Sequence, residues 1–451
     1  MLFSSFEFLF RFLPVFLVIY YLTPKKFRNV TLLGGSIVFY TIGEAGYITI
    51  LLACVLVNYT LTRLMYRKNT DGRGIRQKRL LLLALGYDLG VLFFFKYSGL
   101  ASGLPLGISF YTFQIMAYVI DVYRGRIPAE QSLLRLGTYL TMFPQLISGP
   151  ITNYADVRVA LGRERTIKAR QLEEGMKLLI IGLAAKVVIA DRIGTLWNSI
   201  RMIGFDSIST KLAWMGAFAY SLQLYFDFAG YSMMARGIGK MLGFELPVNF
   251  RYPYISKSVT EFWRRWHITL GRWFREYVYI PLGGNRKGKA RTFFNLFVVW
   301  SLTALWHGAN YNFLIWGGIL LCCLLVEKLF LLRLLDKSRV IGHLYVLFVV
   351  PLSWVAFAVT DLSELGVYMT RLFPFAGHAA GVINHLDYLK YLNDYAPLFL
   401  LGVLFATPLP ETCYRLIERK LIGRVILLGI FGLCMYYLAV SANNPFLYFN
   451  F

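Results

Sequence analysis

Apolar runs long enough to cross a hydrocarbon core as α-helices, about 17–25 residues each, recur along the chain. They centre near Phe16, Val38, Ala53, Gly90 and Met116, then near Gly182, Ala219, Val299, Leu320, Leu347, Leu400 and Gly429. The polar stretches between them are short and rich in Lys and Arg. Lys25, Lys26 and Arg28 hold the first loop on the cytoplasmic side and the Arg63–Arg79 cluster holds the third there, so the N-terminus faces out. One segment breaks the alternation. "LRLGTYLTMFPQLISGPITNY" lies between Arg124–Arg126 and the basic run "RVALGRERTIKAR", both of which favour the cytoplasm, and Pro144, Gly149 and Pro150 interrupt it. A re-entrant hairpin is expected here, buried in protein or lining a wet cavity, because lipid cannot satisfy irregular backbone; a structural kink is the alternative. The pattern predicts an all-α polytopic membrane protein of roughly 11–12 transmembrane helices, with this hairpin and cytoplasmic interfacial helices in addition. Parity then places the C-terminal "NNPFLYFNF" outside.

Composition agrees with that pattern. Of 451 residues, 57% are hydrophobic and only 16% charged, with a mean hydropathy of +0.55, more apolar than one water-soluble core requires. The net charge of +23 would suit nucleic acid, but its Lys and Arg sit in short clusters between apolar runs with no binding fold beside them, which excludes that class. "FLFRFLPVFLVIYYLTP" lacks a basic leader and a small-residue cleavage site, so it is expected to be a retained first span. The five cysteines form no disulfide frame, and neither CxxC nor HExxH occurs, so no metal site is expected. No internal repeat is present, which weighs against a secondary transporter.

The densest polar chemistry lies between Ser258 and Asn312. Ser258 with Glu261 three residues on is a capping-box signature, and Pro281, Gly283 and Gly284 supply a stop, so a helix is expected over Ser258–Glu276. On a 3.6-residue wheel Trp263, Trp266, Leu270, Trp273, Phe274 and Tyr277 share one face, and Glu261, Arg264, Arg265, Arg272 and Arg275 the other, which predicts a helix lying in the interface plane. His267 projects on the apolar face between Trp263 and Phe274, toward protein or membrane.

The basic run "NRKGKAR" follows, and the next span starts near Thr292 from the cytoplasmic side. Sixteen residues separate Arg291 from His307, about 24 Å of rise at about 1.5 Å per residue. Against a core of about 30 Å, His307 falls inside the bilayer depth, past its midplane, with "HGANYN" as the tip of a hairpin. An ionisable residue there is a functional candidate unless a neighbour satisfies it as a neutral imidazole. Gln145 in the hairpin, Gln223 and Asp227 one turn apart, and Asn310 at the tip are candidate linings of a cavity, or else interhelical hydrogen-bonding groups. Buried Asp88, Lys96, Asp121 and Asp227 would be coupling residues if the chain were a transporter; a scaffold subunit without chemistry is a third class.

"FWRRWHITLGRWFREYVYIPLGGNRKGKART" with "LWHGANYNFLIWGG" resembles the signature of the membrane-bound O-acyltransferase (MBOAT) family. More narrowly, it resembles the bacterial branch similar to the alginate O-acetylation membrane protein. "PLGISFYTFQIMAYVIDVYRG", "MFPQLISGPI", "SLQLYFDFAGYSMMARGIGKMLGFELPVNFRYPY" and both chain ends fit the same branch, so the resemblance covers nearly all of the chain. It implies one MBOAT domain over 1–451 with a motif-bearing core about 105–335, catalytic His307 and a second functional position at His267. Glu276 departs from the Asp common in the branch, with charge kept. "PLGG" at Pro281–Gly284 favours polysaccharide acetylation over D-alanyl transfer to teichoic acid.

Such chemistry needs no permanently bound cofactor. It implies acetyl-CoA as donor at the basic cytoplasmic side, where Arg264, Arg265 and Arg275 are candidate donor-binding groups, and a bacterial inner-membrane location. It also implies an extracytoplasmic partner of the SGNH acetyltransferase type. The longest stretch expected outside, Asp361–Tyr395, is too short for a polymer-binding domain of its own.

Overall fold

The computed structural model describes residues 1–66, 74–100, 103–376 and 383–440. Arg67, Lys68, Asp71 and Arg73 of the basic third loop, and the C-terminal "NNPFLYFNF", lie outside them. Every regular element among the described residues is helical, so the chain is all-α. Among the described residues, five stretches are long and apolar enough to cross a membrane: Lys25–Met65, Ile75–Tyr97, Tyr311–Leu335, Arg339–Ala358 and Leu421–Val440. The pair Asp387–Phe405 and Leu409–Arg415, bent by 68°, makes a sixth if counted as one span. Lys25–Met65 itself holds two helices, Arg28–Glu44 and Ile48–Met65, joined at Ala45–Tyr47. The protein is a multi-pass membrane protein.

The segments centred near Met116, Gly182, Ala219 and Val299 are helical too, but carry more polar positions or are shorter. Ile108–Tyr123, at 16 residues, is buried almost throughout, its apolar positions packing on protein. Of the stretch expected outside, Leu362–Leu372 is a helix capped by Asp361, whose side chain accepts from the Glu364 amide.

The chain sorts into two compact units, Met1–Gly182 with Tyr231–Val248, and Leu183–Gly230 with Asn249–Phe451. In the first, the interrupted segment is a short helix Leu133–Thr141, a break at Met142, a single turn Phe143–Leu146 and then irregular backbone up to the helix Tyr154–Gly162. All of Leu136–Tyr154 is buried, which meets the condition that irregular backbone be enclosed by protein. Several of its polar groups are paired within the first unit: Gln145 Nε2 donates to the Tyr139 carbonyl at 2.6 Å, the Phe143 amide to Ser36 Oγ at 3.2 Å, and Tyr139 Oη to the Thr152 carbonyl at 2.8 Å. Phe143 packs edge-on against Phe12 and Phe16 at 5.5 and 5.2 Å, anchoring the turn in an aromatic cluster.

In the second unit the expected Ser258–Glu276 helix is broken in two. Val259–Arg265 and Ile268–Phe274 are separate helices, and between them His267 sits in the left-handed region at φ 42°, ψ 53°. The wheel still sorts its side chains, with Trp266, Leu270, Trp273, Phe274 and Tyr277 buried and Arg264 and Arg275 exposed. At the N-terminus Ser258 Oγ accepts from the Glu261 amide at 3.0 Å, while Glu261 Oε2 reaches the Lys257 amide, one residue before the expected partner.

Candidate active site

Both histidines belong to the second unit. His307 is the last residue of the Gly288–His307 helix and is only 4% exposed. Rings from three helices enclose its imidazole: Trp306 at 4.9 Å, Trp316 at 5.0 Å and Phe357 at 5.1 Å edge-on, with Phe313 at 6.2 Å. The chain leaves the helix through Gly308, whose backbone is extended, and enters the next helix at Tyr311. Glycine is needed there for space, since a Cβ on Gly308 would lie 2.4 Å from Phe313 Cε2. A Cβ on Gly317 would meet the Ala304 Cβ at 3.0 Å, so small residues also set how closely these two helices approach. Buried Asn312 donates to the Ala356 and Phe357 carbonyls at 3.2 and 2.9 Å, tying the end of the Arg339–Ala358 helix to the turn that carries His307.

His267 is 1% exposed. Phe228 meets its ring edge-on at 4.8 Å, Phe250 lies at 6.5 Å and Trp306 at 6.1 Å, so the Trp306 indole touches both imidazoles. These partners replace the Trp263 and Phe274 of the continuous-helix expectation. His267 Nδ1 is 3.1 Å from Asn249 Oδ1, and burial pushes the imidazole down to about 3, so it is neutral at physiological pH.

The other expected site residues divide. Asp227 is bound to Lys186 Nζ at 2.7 Å, and the same ammonium meets Asp191 at 2.7 Å, which accounts for a buried carboxylate without recourse to substrate. Lys186 opens a π-helical turn, Ala185–Ala190, whose five-residue repeat brings it beside Asp191. Gln223 packs on Gly194, where a Cβ would sit 2.3 Å from its Nε2. Asn310 is exposed, at the N-cap of the helix Tyr311–Val326, and makes no side-chain cap bond; Asn312 is the buried amide at this tip. Arg265 is paired with Glu261 through Nε and Nη2 at 2.9 and 2.8 Å, and Arg264 and Arg275 are exposed. Gln145 belongs to the first unit. A cavity of about 670 Å³ in the second unit is lined by Asn198, Arg201, Phe205, Asp206 and Glu364 among others, and by neither histidine. The histidines' burial and shared tryptophan outweigh that cavity as a guide to chemistry. Among the described residues, no cluster of His, Cys, Asp or Glu could hold a metal ion.

A sequence model of the membrane-bound O-acyltransferase family matches residues 37–346, which include both histidines and the rings around them up to Trp316. The chain belongs to that family. It is 34% identical to the probable alginate O-acetylase AlgI of Pseudomonas putida, with all of both chains covered. It is 29% identical to the peptidoglycan O-acetyltransferase of Helicobacter pylori over 100% of this chain and 98% of the relative, and 32% identical to the teichoic acid D-alanyltransferase of Bacillus subtilis over 48% and 58%. This MBOAT protein is an O-acyltransferase. Asn249, Asn312 and Trp306 escaped the sequence reading of its site. Asn249 stands in "PVNFRYPY", a stretch used there only for its resemblance, and nothing in its spacing points to His267.

Proposed function

We propose that this protein moves an acetyl group from cytosolic acetyl-CoA across the bacterial inner membrane for O-acetylation of an extracytoplasmic polysaccharide, by way of an SGNH-type partner. The observation that carries the proposal is the placement of His307. It lies buried in rings at the far end of a helix of 20 residues, about 30 Å long, whose near end carries exposed Arg286, Lys287, Lys289 and Arg291. A phosphate-rich donor suits the basic end. The ring-lined end excludes water, which would otherwise compete with the acceptor hydroxyl.

In the proposed step the acceptor oxygen attacks the thioester carbonyl while His307 takes the hydroxyl proton. The C–S bond then breaks, and the proton passes to the departing thiolate, leaving an ester and a free thiol. No charge or electron is left over. Full-length similarity to two O-acetylating relatives, against half-length similarity to the D-alanyl relative, supports acetyl as the group and a polysaccharide as its destination.

Label from acetyl-CoA is expected to transfer in inside-out vesicles and not in sealed right-side-out ones. His307→Ala should lower transfer by about a hundredfold or more at normal expression. Turnover within about threefold of the parent would overturn the role of His307. Efficient acetylation of external polymer by liposomes that hold this protein alone would overturn the partner relay.

A further inference from the structure

Asn249 stands eighteen positions before His267 and is itself 1% exposed. Its backbone carbonyl accepts from the Ile268 amide at 2.9 Å. Its Oδ1 accepts from the Thr269 hydroxyl at 2.9 Å and the Thr269 amide at 3.3 Å, and faces His267 Nδ1 at 3.1 Å. One residue, through its backbone carbonyl and its side-chain oxygen, therefore holds His267 together with the first two residues of the helix that follows it.

The orientation of that amide is fixed by chemistry. A backbone N–H can only donate, so the Asn249 atom it meets must be oxygen, and an amide oxygen can only accept. The bond to His267 must then be donated by Nδ1–H. That fixes the tautomer: the neutral imidazole carries its proton on Nδ1 and its lone pair on Nε2. The backbone argues in the same direction. Apart from Tyr252, His267 is the only non-glycine among the described residues with positive φ. This conformation is strained and persists only where its surroundings over-determine it. Here the clamp is Asn249, helped by the Arg251 amide bonding to the Arg265 carbonyl at 2.9 Å.

We propose that Asn249 is a positioning residue for acyl transfer, holding His267 in the Nδ1-protonated tautomer with Nε2 presented as the acceptor for a proton. The assignment rests on the acyl-transfer site proposed above around His307 and extends that site to His267. The groups seen against the His267 ring from neighbouring elements are Phe228, Phe250, Trp306, Asn249 and Thr269, none of which titrates in the working range.

The test is the pH profile of kcat for transfer from labelled acetyl-CoA, measured on the full chain in its native membrane for the parent, Asn249→Asp, Asn249→Ala and His307→Ala. Asn249→Asp keeps an oxygen acceptor for Nδ1–H and for Thr269 but sets a negative charge about 3 Å from the ring, which favours the imidazolium. Its acid limb should move to higher pH by more than about one unit, with the rate at alkaline pH within about threefold of the parent. Asn249→Ala should stay at least about tenfold below the parent at every pH. An Asn249→Asp profile that coincides with the parent's would overturn the proposal and leave Asn249 a purely structural clamp, and this comparison stands even if Asn249→Ala fails to fold. Wild-type turnover in Asn249→Ala would overturn it as well. His307→Ala separates the two levels: full activity there defeats the acyl-transfer site itself, whereas loss there with an unshifted Asn249→Asp profile defeats only the role of Asn249.

Discussion

The space above His307 can be probed at a single glycine. Gly308 has extended backbone, φ 175° and ψ 176°, which alanine adopts freely, so Gly308→Ala adds a methyl group and no backbone strain. That methyl would start 2.4 Å from Phe313 Cε2 and 2.8 Å from Cδ2. Carbon atoms rest at about 3.5–4.0 Å, so the ring must retreat by about 1 Å or more. Phe313 cannot move alone, because it packs on Phe357 at 5.1 Å and lies 6.2 Å from His307, whose imidazole Phe357 also touches. Overpacking of this kind costs about 1–3 kcal/mol. A displacement of about 1 Å at reacting groups costs up to about a hundredfold in rate. Gly308→Ala is therefore expected to lower acyl transfer by tenfold to a hundredfold, a range taken from that same displacement cost, while the protein still inserts and melts cooperatively. Gly318→Ala is the control, since a Cβ there meets nothing within 4 Å. Phe313→Leu in the Gly308→Ala background removes the clashing ring atoms and should recover part of the loss. Initial rates from labelled acetyl-CoA, paired with melting temperatures in detergent, separate the steric effect from general instability. A Gly308→Ala protein as active as Gly318→Ala would refute the argument that the ring enclosure positions His307.

Three further outcomes follow from the same unit. His267 is held neutral down to about 3, whereas an unfolded histidine titrates near 6.5. Below about 6.5 the unfolded chain thus binds a proton that the native chain refuses, and stability falls by up to about 1.4 kcal/mol per pH unit as pH drops. The melting temperature of the parent should fall more steeply than that of His267→Gln between pH 7 and 5, and parallel curves would contradict a buried neutral ring. Lys186→Met strands two carboxylates that now share one ammonium, a loss of about 3–5 kcal/mol; an unchanged melting temperature would show that Asp191 and Asp227 are not held as charges. In a background with the five native cysteines replaced, Lys287→Cys should resist an impermeant thiol reagent on intact cells and react in inside-out vesicles; labelling of intact cells would put the donor side on the wrong face.

Part of this site was legible in the sequence because it depends on period and distance. The position of His307 follows from a count of residues along one helix, and the turn after it from "HGANYN" between two apolar runs. The two-sided wheel of Ser258–Glu276 survived the break at His267: Trp266, Leu270, Trp273, Phe274 and Tyr277 are buried while Arg264 and Arg275 are exposed, although Trp266 and His267 leave helical geometry. The break itself was not legible. Histidine is enriched in the left-handed region, but too weakly to mark one position in a helical pattern, and the amide that holds it there lies eighteen residues away. Asn310 and Asn312 are equally polar in the sequence, and only the packing of the Arg339–Ala358 helix buries one and leaves the other exposed.

Asp227 shows how such distance can hide a partner. A lone carboxylate within an apolar run points to function, yet its counter-charge is forty-one residues earlier on another helix. Lys186 reaches it from the start of a π-helical turn, a device that single-sequence periodicity does not register. With Asp227 matched in this way, the two imidazoles that share Trp306 are left as the polar chemistry of the second unit best placed to act on a substrate. The catalytic question is thereby narrowed to which of two buried, ring-lined imidazoles takes the acceptor's proton, His307 at the end of its helix or His267 beside Asn249.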